Sequence, residues 1–481
     1  VELTPETIPN LLFLPFTDAG NAERLILLSG QNLKYIGARG WLVWRKTHWD
    51  ADETGGAVQA ALAMARLLFE QADALPPTDA LRPAAVAHAR KTESAASIAA
   101  CLKLAATFPE IARRIEDFDQ NAYLLNCAAG TIDLRRNALY THAHADLLTA
   151  CAPAGLSLAV GRWQSFLQEI LPDPELAAYV QRAIGASVIG NQREHAIFFA
   201  HGGGGNGKGT FFRAIVSALG KYVVSIPPHM LIETPQPAHP TEIADLYGKR
   251  LAVSAEIPKN KKLDEAKIKS MSGADRMKGR FMFKDFIEWD PTHTLWICGN
   301  DKPRITGTDR GIWRRLHLIP FTAELDGETA DLDLDASLAS ERDAIMQWCV
   351  VGAVDYLANG LGVCQAVEDA TKSYRNDEDI FGKCLESLVE FDKDATAVKR
   401  DFRDLLKIMY DDAGMSFTPS DRVIKAEFEK RNITDTRQRG DAGLEHVWTG
   451  ISIKPLVAAQ LRRAAMEKTE AKRKSWHERE S

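Results

Sequence analysis

The stretch His195–Gly220, HAIFFAHGGGGNGKGTFFRAIVSALG, decides the fold of this 481-residue chain. Ala196 to Ala200 is an unbroken apolar run, as a strand buried on both faces requires. Glycines Gly202 to Gly205 then lead through Asn206 and Gly207 to Lys208 and an amphipathic helix. Strand, glycine-rich turn and helix in that order make a phosphate cradle. Glycines let successive backbone N–H groups turn inward around a polyphosphate, the helix N-terminus adds the positive end of its dipole, and the lysine reaches the β and γ oxygens. The spacing fits G-x-x-x-x-G-K, so Gly202, Gly205, Asn206, Gly207, Lys208, Gly209 and Thr210 are the expected nucleotide-binding residues, with ATP and Mg²⁺ as the expected cofactors. Gly209 stands where Ser or Thr ordinarily holds Mg²⁺; Thr210 after it is the candidate metal ligand, with Glu256. A glycine-rich linker is the bland alternative, but linkers are rarely led by a strand and followed by a helix.

Three more features follow the cradle in order. Gly248-Lys249-Arg250 introduces a second apolar run, LAVSA, which ends at Glu256, an acid placed to orient or deprotonate an attacking water. Ala255 occupies the position of the usual companion acid. A third run, TLWICG, ends at Asn300, whose amide suits holding water against a γ-phosphate. The segment TDRGIWRRLHLIPF sets Arg310, Arg314 and Arg315 before a fourth apolar run, Leu316 to Phe321. An arginine there, Arg315 first and Arg314 second, can enter a neighbouring subunit's site and neutralise charge on the transferring phosphoryl group. The expected catalytic set is therefore Lys208, Glu256, Asn300, Arg315 and Arg314. Between the acid and the asparagine lies a basic hairpin with a turn near Lys284-Asp285; Lys278, Arg280 and Lys284 are its candidate DNA contacts, against the reading of a merely solvated loop.

Bulk properties bound the rest. Hydrophobic residues at 45% and charged residues at 26% are those of an ordinary globular protein with several domains. No apolar run is long enough to span a bilayer and no signal-peptide pattern opens the chain, so a cytoplasmic location is expected. Val1 in place of Met reads as a processed chain or a piece of a longer one. A net charge of −6 excludes a globally basic nucleic-acid coat and leaves DNA contact to a local patch or channel. Seven cysteines without C-x-x-C argue against a disulfide framework.

Before the cradle, residues 21–50 read as strand-like and rich in aromatics, either a small sheet's core or a base-stacking platform. Alanine-rich helices follow at 57–74 and 84–118, then the polar hairpin LLNCAAGTIDL, the pair His142 and His144, and two helices parted by Pro172-Asp173-Pro174. Past Phe321 an acidic loop precedes helices to about Arg375. From Ile380 a helix to Phe391, helices 402–412 and 420–431 and a polar hairpin through Gly440 and Gly443 describe a winged helix-turn-helix. Its Lys425, Lys430, Arg431, Arg437 and Arg439 face either phosphate or a protein partner.

Taken together, the motifs resemble one family: phage and plasmid replication proteins with a superfamily 3 helicase domain, the poxvirus-type NTPase/primase-helicase group. GGGGNGKGT resembles its Walker A, RLAVSAEI its Walker B, KIKSMSGADRMKGR its B-prime motif, LWICGNDKP its sensor and RGIWRRLHLIPF its arginine-finger segment; LLNCAAGTIDL and WQSFLQEIL resemble its accessory domain. The resemblance implies a multidomain α/β protein whose AAA+-like P-loop ATPase core is preceded by a mixed α+β accessory domain and followed by a winged-helix domain. It divides the chain into an accessory domain (1–155), a helical linker or oligomerisation collar (156–192), the ATPase core (193–325), a helical segment (326–378), a winged helix (379–456) and a charged tail (457–481). It implies a hexameric ring moving 3′-to-5′ on single-stranded or forked DNA in the cytoplasm of a bacterial host, with a primase or polymerase as a further partner. No cluster of polymerase carboxylates stands before residue 120, so priming is not expected of this chain. The competing readings are a small-molecule P-loop kinase and a catalytically weak replication-initiation or origin-binding scaffold.

Overall fold

The computed structural model describes residues 9–37, 39–191, 193–235, 239–254, 256–259, 261–273, 275–305, 310–325, 331, 333–412, 418–440 and 443–480. The chain forms two compact units, Val1–Tyr374 and Arg375–Ser481.

The first unit opens with helix α1 (Asp18–Ser29) and an antiparallel sheet of β1 (Leu33–Ile36), β2 (Gly40–Trp44) and β3 (Trp49–Ala51). The expectation of strand from residue 21 is corrected here. Thr17 Oγ1 accepts from Gly20 N at 3.1 Å and Asp18 sits in the first turn, so N-cap and dipole start a helix whose Ala22 and Leu25 are buried. Helices α2 (Gly56–Asp73), α3 (Arg82–Thr92) and α4 (Ala95–Ala105) pack with α1 around Leu25, Met64, Leu68 and Ile98. A second antiparallel sheet follows, β4 (Leu124–Cys127), β5 (Gly130–Asp133) and β6 (Ala138–Tyr140), and then α5 (Arg162–Ile170) and α6 (Pro174–Val188).

The centre of this unit is a five-stranded parallel sheet. Its elements are β7 (Ile197–His201), α7 (Lys208–Leu219), β8 (Val223–Ile226), α8 (Pro240–Ala244), β9 (Leu251–Ser254), α9 (Glu265–Met271), the hairpin β10 (Met277–Arg280) and β11 (Phe286–Trp289), β12 (Thr294–Gly299), α10 (Arg310–Trp313) and β13 (Leu316–Pro320). The strand order is β13-β7-β12-β9-β8. Alternate residues of β7 enter different cores: Phe198 and Ala200 join Phe211, Ile215 and Trp296 under α5, α6 and α7, whereas Ile197 and Phe199 join Ile297, Leu318 and Trp289 on the opposite face. Burial on both faces explains why these strands are continuously apolar. Helices α11 (Leu334–Ser340), α12 (Arg342–Asn359) and α13 (Gln365–Glu378) follow. Glu341, just before α12, accepts from the backbone N of Arg162 at 2.8 Å and of Trp163 at 2.9 Å, which ties the N-terminus of α5 to α12.

The second unit runs α14 (Ile380–Leu388), β14 (Val389–Val398), α15 (Lys399–Asp412), α16 (Asp421–Glu429), β15 (Thr434–Gly440), β16 (Gly443–Ile453) and α17 (Pro455–Glu480), with an antiparallel sheet in the order β14-β16-β15. The helix expected from Ile380 to Phe391 stops at Leu388. Beyond it the chain pairs with β16, a partner 49 to 64 residues away that local periodicity cannot reveal.

Helices α6 and α12 touch backbone to backbone. A Cβ on Gly185 would lie 2.1 Å from Gly352 C, and one on Gly352 would lie 2.2 Å from Gln181 O. Gly185→Ala should therefore lose about 1–3 kcal/mol of stability, despite alanine's better helix propensity, because the helices must move apart. Chemical denaturation of the purified chain checks this; an unchanged or raised midpoint contradicts it.

Candidate nucleotide-binding and catalytic site

Beyond the carboxyl end of β7 the backbone enters the left-handed region at Gly205 (φ 73°) and Gly207 (φ 76°), where only glycine is free of strain. Close approach makes a second demand. A Cβ on Gly207 would lie 2.4 Å from Ile170 Cγ2 of α5, and one on Gly202 would lie 2.1 Å from Phe321 O. Gly203 and Gly204 have open space instead.

Lys208, the first residue of α7, is 6% exposed. Its ammonium donates to Gly202 O at 3.0 Å, Gly203 O at 3.3 Å, Asn206 Oδ1 at 3.1 Å and Asn300 Oδ1 at 2.5 Å. Asn206 in turn donates from Nδ2 to Phe321 O at 3.1 Å, so the end of β13 also holds the loop. Burial lowers the pKa of Lys208, while Cys298 and Glu256 act in the opposite sense.

Strand order brings the remaining groups together. β12 lies between β7 and β9, with Gly299 paired to His201 and Ile297 to Ser254. Asn300 thus emerges beside the cradle and Glu256 emerges next to Asn300. Glu256 is exposed and its Oε1 accepts from the backbone N of Asn300 at 3.3 Å. A cavity of 450 Å³ is lined by the loop from Gly204 to Thr210 and by Arg213, Glu256, Cys298, Gly299 and Asn300. A larger apolar cleft of 700 Å³, formed by residues 157–161 with α5, α6 and α12, contains none of these groups. Ala255 lies outside the described residues.

The expected metal ligands are placed differently. Gly209 offers no hydroxyl, and Thr210 Oγ1 accepts from Arg213 Nη2 at 2.9 Å. Arg213 also pairs with Asp335 at 3.1 Å, both side chains being more than half exposed. Among the described residues no group of three or more His, Cys, Asp or Glu could hold a metal ion. A Mg²⁺ ion at the cradle would therefore have no protein carboxylate cluster to hold it, Gly209 gives it no hydroxyl, and Glu256 stands as a single exposed carboxylate. Sequence reading passed over Arg213, although its spacing of four from Gly209 and three from Thr210 on one helix face signals the contact.

The two arginines differ. Arg315 is half-buried and turned into its own chain, donating from Nη1 to Lys269 O at 2.9 Å and Ser272 Oγ at 3.1 Å at the end of α9. Arg314 is exposed. In the hairpin, Gly279 lets α8 approach, since a Cβ there would lie 2.9 Å from Ala244 N. Lys278 pairs with Glu288 at 3.1 Å, and the Arg280 guanidinium lies 5.3 Å from the centre of the Phe286 ring. Lys284 is exposed at the turn. Beside it, Phe283 is 96% exposed with φ 58°, an uncommon conformation for a bulky residue, and Met282 is 61% exposed. The sequence shows the FMF text but not that these two side chains are left in solvent.

Other candidates disperse. His142 and His144 turn to Cys127 O at 2.9 Å and Asn32 Oδ1 at 3.0 Å. Trp49 is fully buried, so this member of the aromatic group belongs to the core. In the second unit Lys430 and Arg431 both pair with Glu427, whereas Lys425, Arg437 and Arg439 are exposed.

Residues 22–172 match the D5 N terminal like family, and residues 200–315 match a family of unknown function (DUF5906). The chain is 23% identical over 293 residues to "Putative helicase L207/L206" of Acanthamoeba polyphaga mimivirus, covering 56% of this chain and 30% of that protein. It is 25% identical over 268 residues to "Putative helicase 022R" of Frog virus 3 (isolate Goorha), covering 51% of this chain and 27% of that protein. The chain thus spans under a third of the length of these curated relatives. Among solved structures, the apo form of the NrS-1 C terminal region aligns with 12% identity and a TM-score of 0.40 over 62% of this chain and 77% of that one. The D5 N terminal like match and the viral relatives named as putative helicases support a phage or viral primase-helicase family for this chain.

Proposed function

We propose that the chain is an ATP-driven DNA helicase of the superfamily 3 kind, acting in phage, prophage or plasmid replication. The observation that carries this is the convergence of Lys208, Asn300 and Glu256, from the ends of three adjacent parallel strands, on one cavity. Ligands of open α/β sheets sit outside the carboxyl ends of the strands, and a buried ammonium among glycine backbone suits phosphate. In this reading Lys208 and the loop amides hold the β and γ phosphates, Asn300 orients the attacking water and Glu256 takes its proton. An arginine from a neighbouring subunit of a hexameric ring neutralises the charge that develops. Exposed Arg314 suits that role better than Arg315, whose guanidinium holds α9.

The hairpin would grip single-stranded DNA and move it 3′-to-5′, with Lys284 on phosphate and Phe283 stacking on a base. Supporting the reading of the second unit as a winged helix is its order of helix, strand, two helices and two strands. A primase or polymerase would be the partner that uses the opened strand. The names of the viral relatives support helicase activity.

On a forked substrate, ATP-dependent strand displacement is expected of the wild type and not of Lys208→Ala, whose ATP hydrolysis should fall about 10²–10³-fold. No unwinding by the wild type would refute the helicase reading. Arg315→Ala should lose about 1–3 kcal/mol of stability by leaving the end of α9 without its donor. Arg314→Ala should keep its Tm and lose about 10³-fold in hydrolysis at ring-forming concentrations; a Tm loss with Arg314→Ala in place of Arg315→Ala would reverse the assignment. Phe283→Ala should weaken single-stranded DNA binding by about 1–3 kcal/mol, and fluorescence anisotropy with an unaffected oligonucleotide affinity would remove Phe283 from the interface.

A further inference from the structure

We propose that Arg213 is a nucleotide-binding residue, a second phosphate cation supplied within the chain where P-loops with Ser or Thr after the lysine rely on a metal ion. The proposal rests on the nucleotide reading of the cradle and extends it to a residue that no motif assigns.

Three observations place the guanidinium. Arg213 lines the same cavity as Lys208, Thr210, Glu256 and Asn300. Its Nη1 is 3.2 Å from the point a Cβ on Gly209 would occupy, so the missing side chain at 209 and the arginine at 213 fit one another. Nη2 donates to Thr210 Oγ1 at 2.9 Å, on the first turn of α7, where phosphate oxygens meet the helix N-terminus. The hydroxyl that would have to face a metal thus faces a positive charge.

The arginine is also able to let go of its present partner. Its pair with Asp335 joins side chains that are 61% and 57% exposed, and ion pairs so open to water contribute little. A polyphosphate offers the planar fork several anionic oxygens and charge-assisted bonds in place of one carboxylate. Among the described residues Asp335 pairs with the guanidinium, and Glu256 and Lys208 line the same cavity, so a phosphate arriving between Lys208 and Arg213 is held from two sides.

The test is equilibrium binding of a fluorescent ATP analogue to the full chain, in Mg²⁺ and in EDTA, for wild type, Arg213→Ala, Arg213→Gln and Lys208→Ala. Wild-type affinity should change less than about threefold on removing Mg²⁺, and Arg213→Ala should lose about tenfold or more in EDTA. Arg213→Gln keeps a hydrogen-bond donor without the charge and should show the same loss, which covers the case of an alanine variant that melts early. Arg213 variants that bind as tightly as wild type in EDTA, while Lys208→Ala does not, would overturn the role of Arg213 and leave the nucleotide site standing. Should Lys208→Ala bind as well as wild type, the nucleotide reading itself falls.

Discussion

The site depends on the burial of one ammonium. Lys208 takes oxygen acceptors from the cradle, from Asn206 and from Asn300, and these arrive from the ends of β7 and β12, while Asn206 is anchored to the end of β13. A buried charge without partners is costly, so these contacts hold only if the three strands lie side by side in parallel. The continuous apolar text of those strands supplies that sheet, because each is buried on both faces.

The region before the cradle is tied to the same framework. Buried Arg250, just before β9, donates to Val188 O at the end of α6 and to Leu124 O at the start of β4, with its guanidinium 4.7 Å from the centre of the Tyr222 ring. Asn126 is fully buried; it donates to Thr47 O at 2.8 Å and Ala150 O at 3.1 Å, and its own backbone N donates to Tyr222 Oη at 3.1 Å. The hairpin that the sequence singled out for its polar residues is thereby a junction. Its asparagine joins β4 to Thr47 in the strand-rich segment before it and to Tyr222 between α7 and β8, and a polar side chain is tolerated in that buried position because its groups are bonded.

Legibility followed the range of the interaction. The P-loop was legible because every requirement on it is local: positive φ at Gly205 and Gly207, a helix start at Lys208, an apolar strand before. Helix α1 was read as strand because aromatic and β-branched text further on outweighed the cap at Thr17. The first three residues of β14, Val389 to Phe391, were read as the end of a helix because only their pairing with β16 makes them strand. The exposure of Phe283 and the turn of Arg315 onto α9 depend on neighbours distant in sequence, so neither had a local signature.

The sequence by itself determined an α/β core with a P-loop-like glycine turn between a buried strand and a helix, and that an acid, an asparagine and an arginine pair follow in that order, since chain order and short-range spacing carry that information. Only the tertiary structure decided that Asn300 bonds Lys208, that Arg315 faces inward while Arg314 faces out, and that Arg213 takes the hydroxyl of Thr210. Those outcomes follow from strand order and from which side chains compete for the same few oxygens, and a linear text records neither.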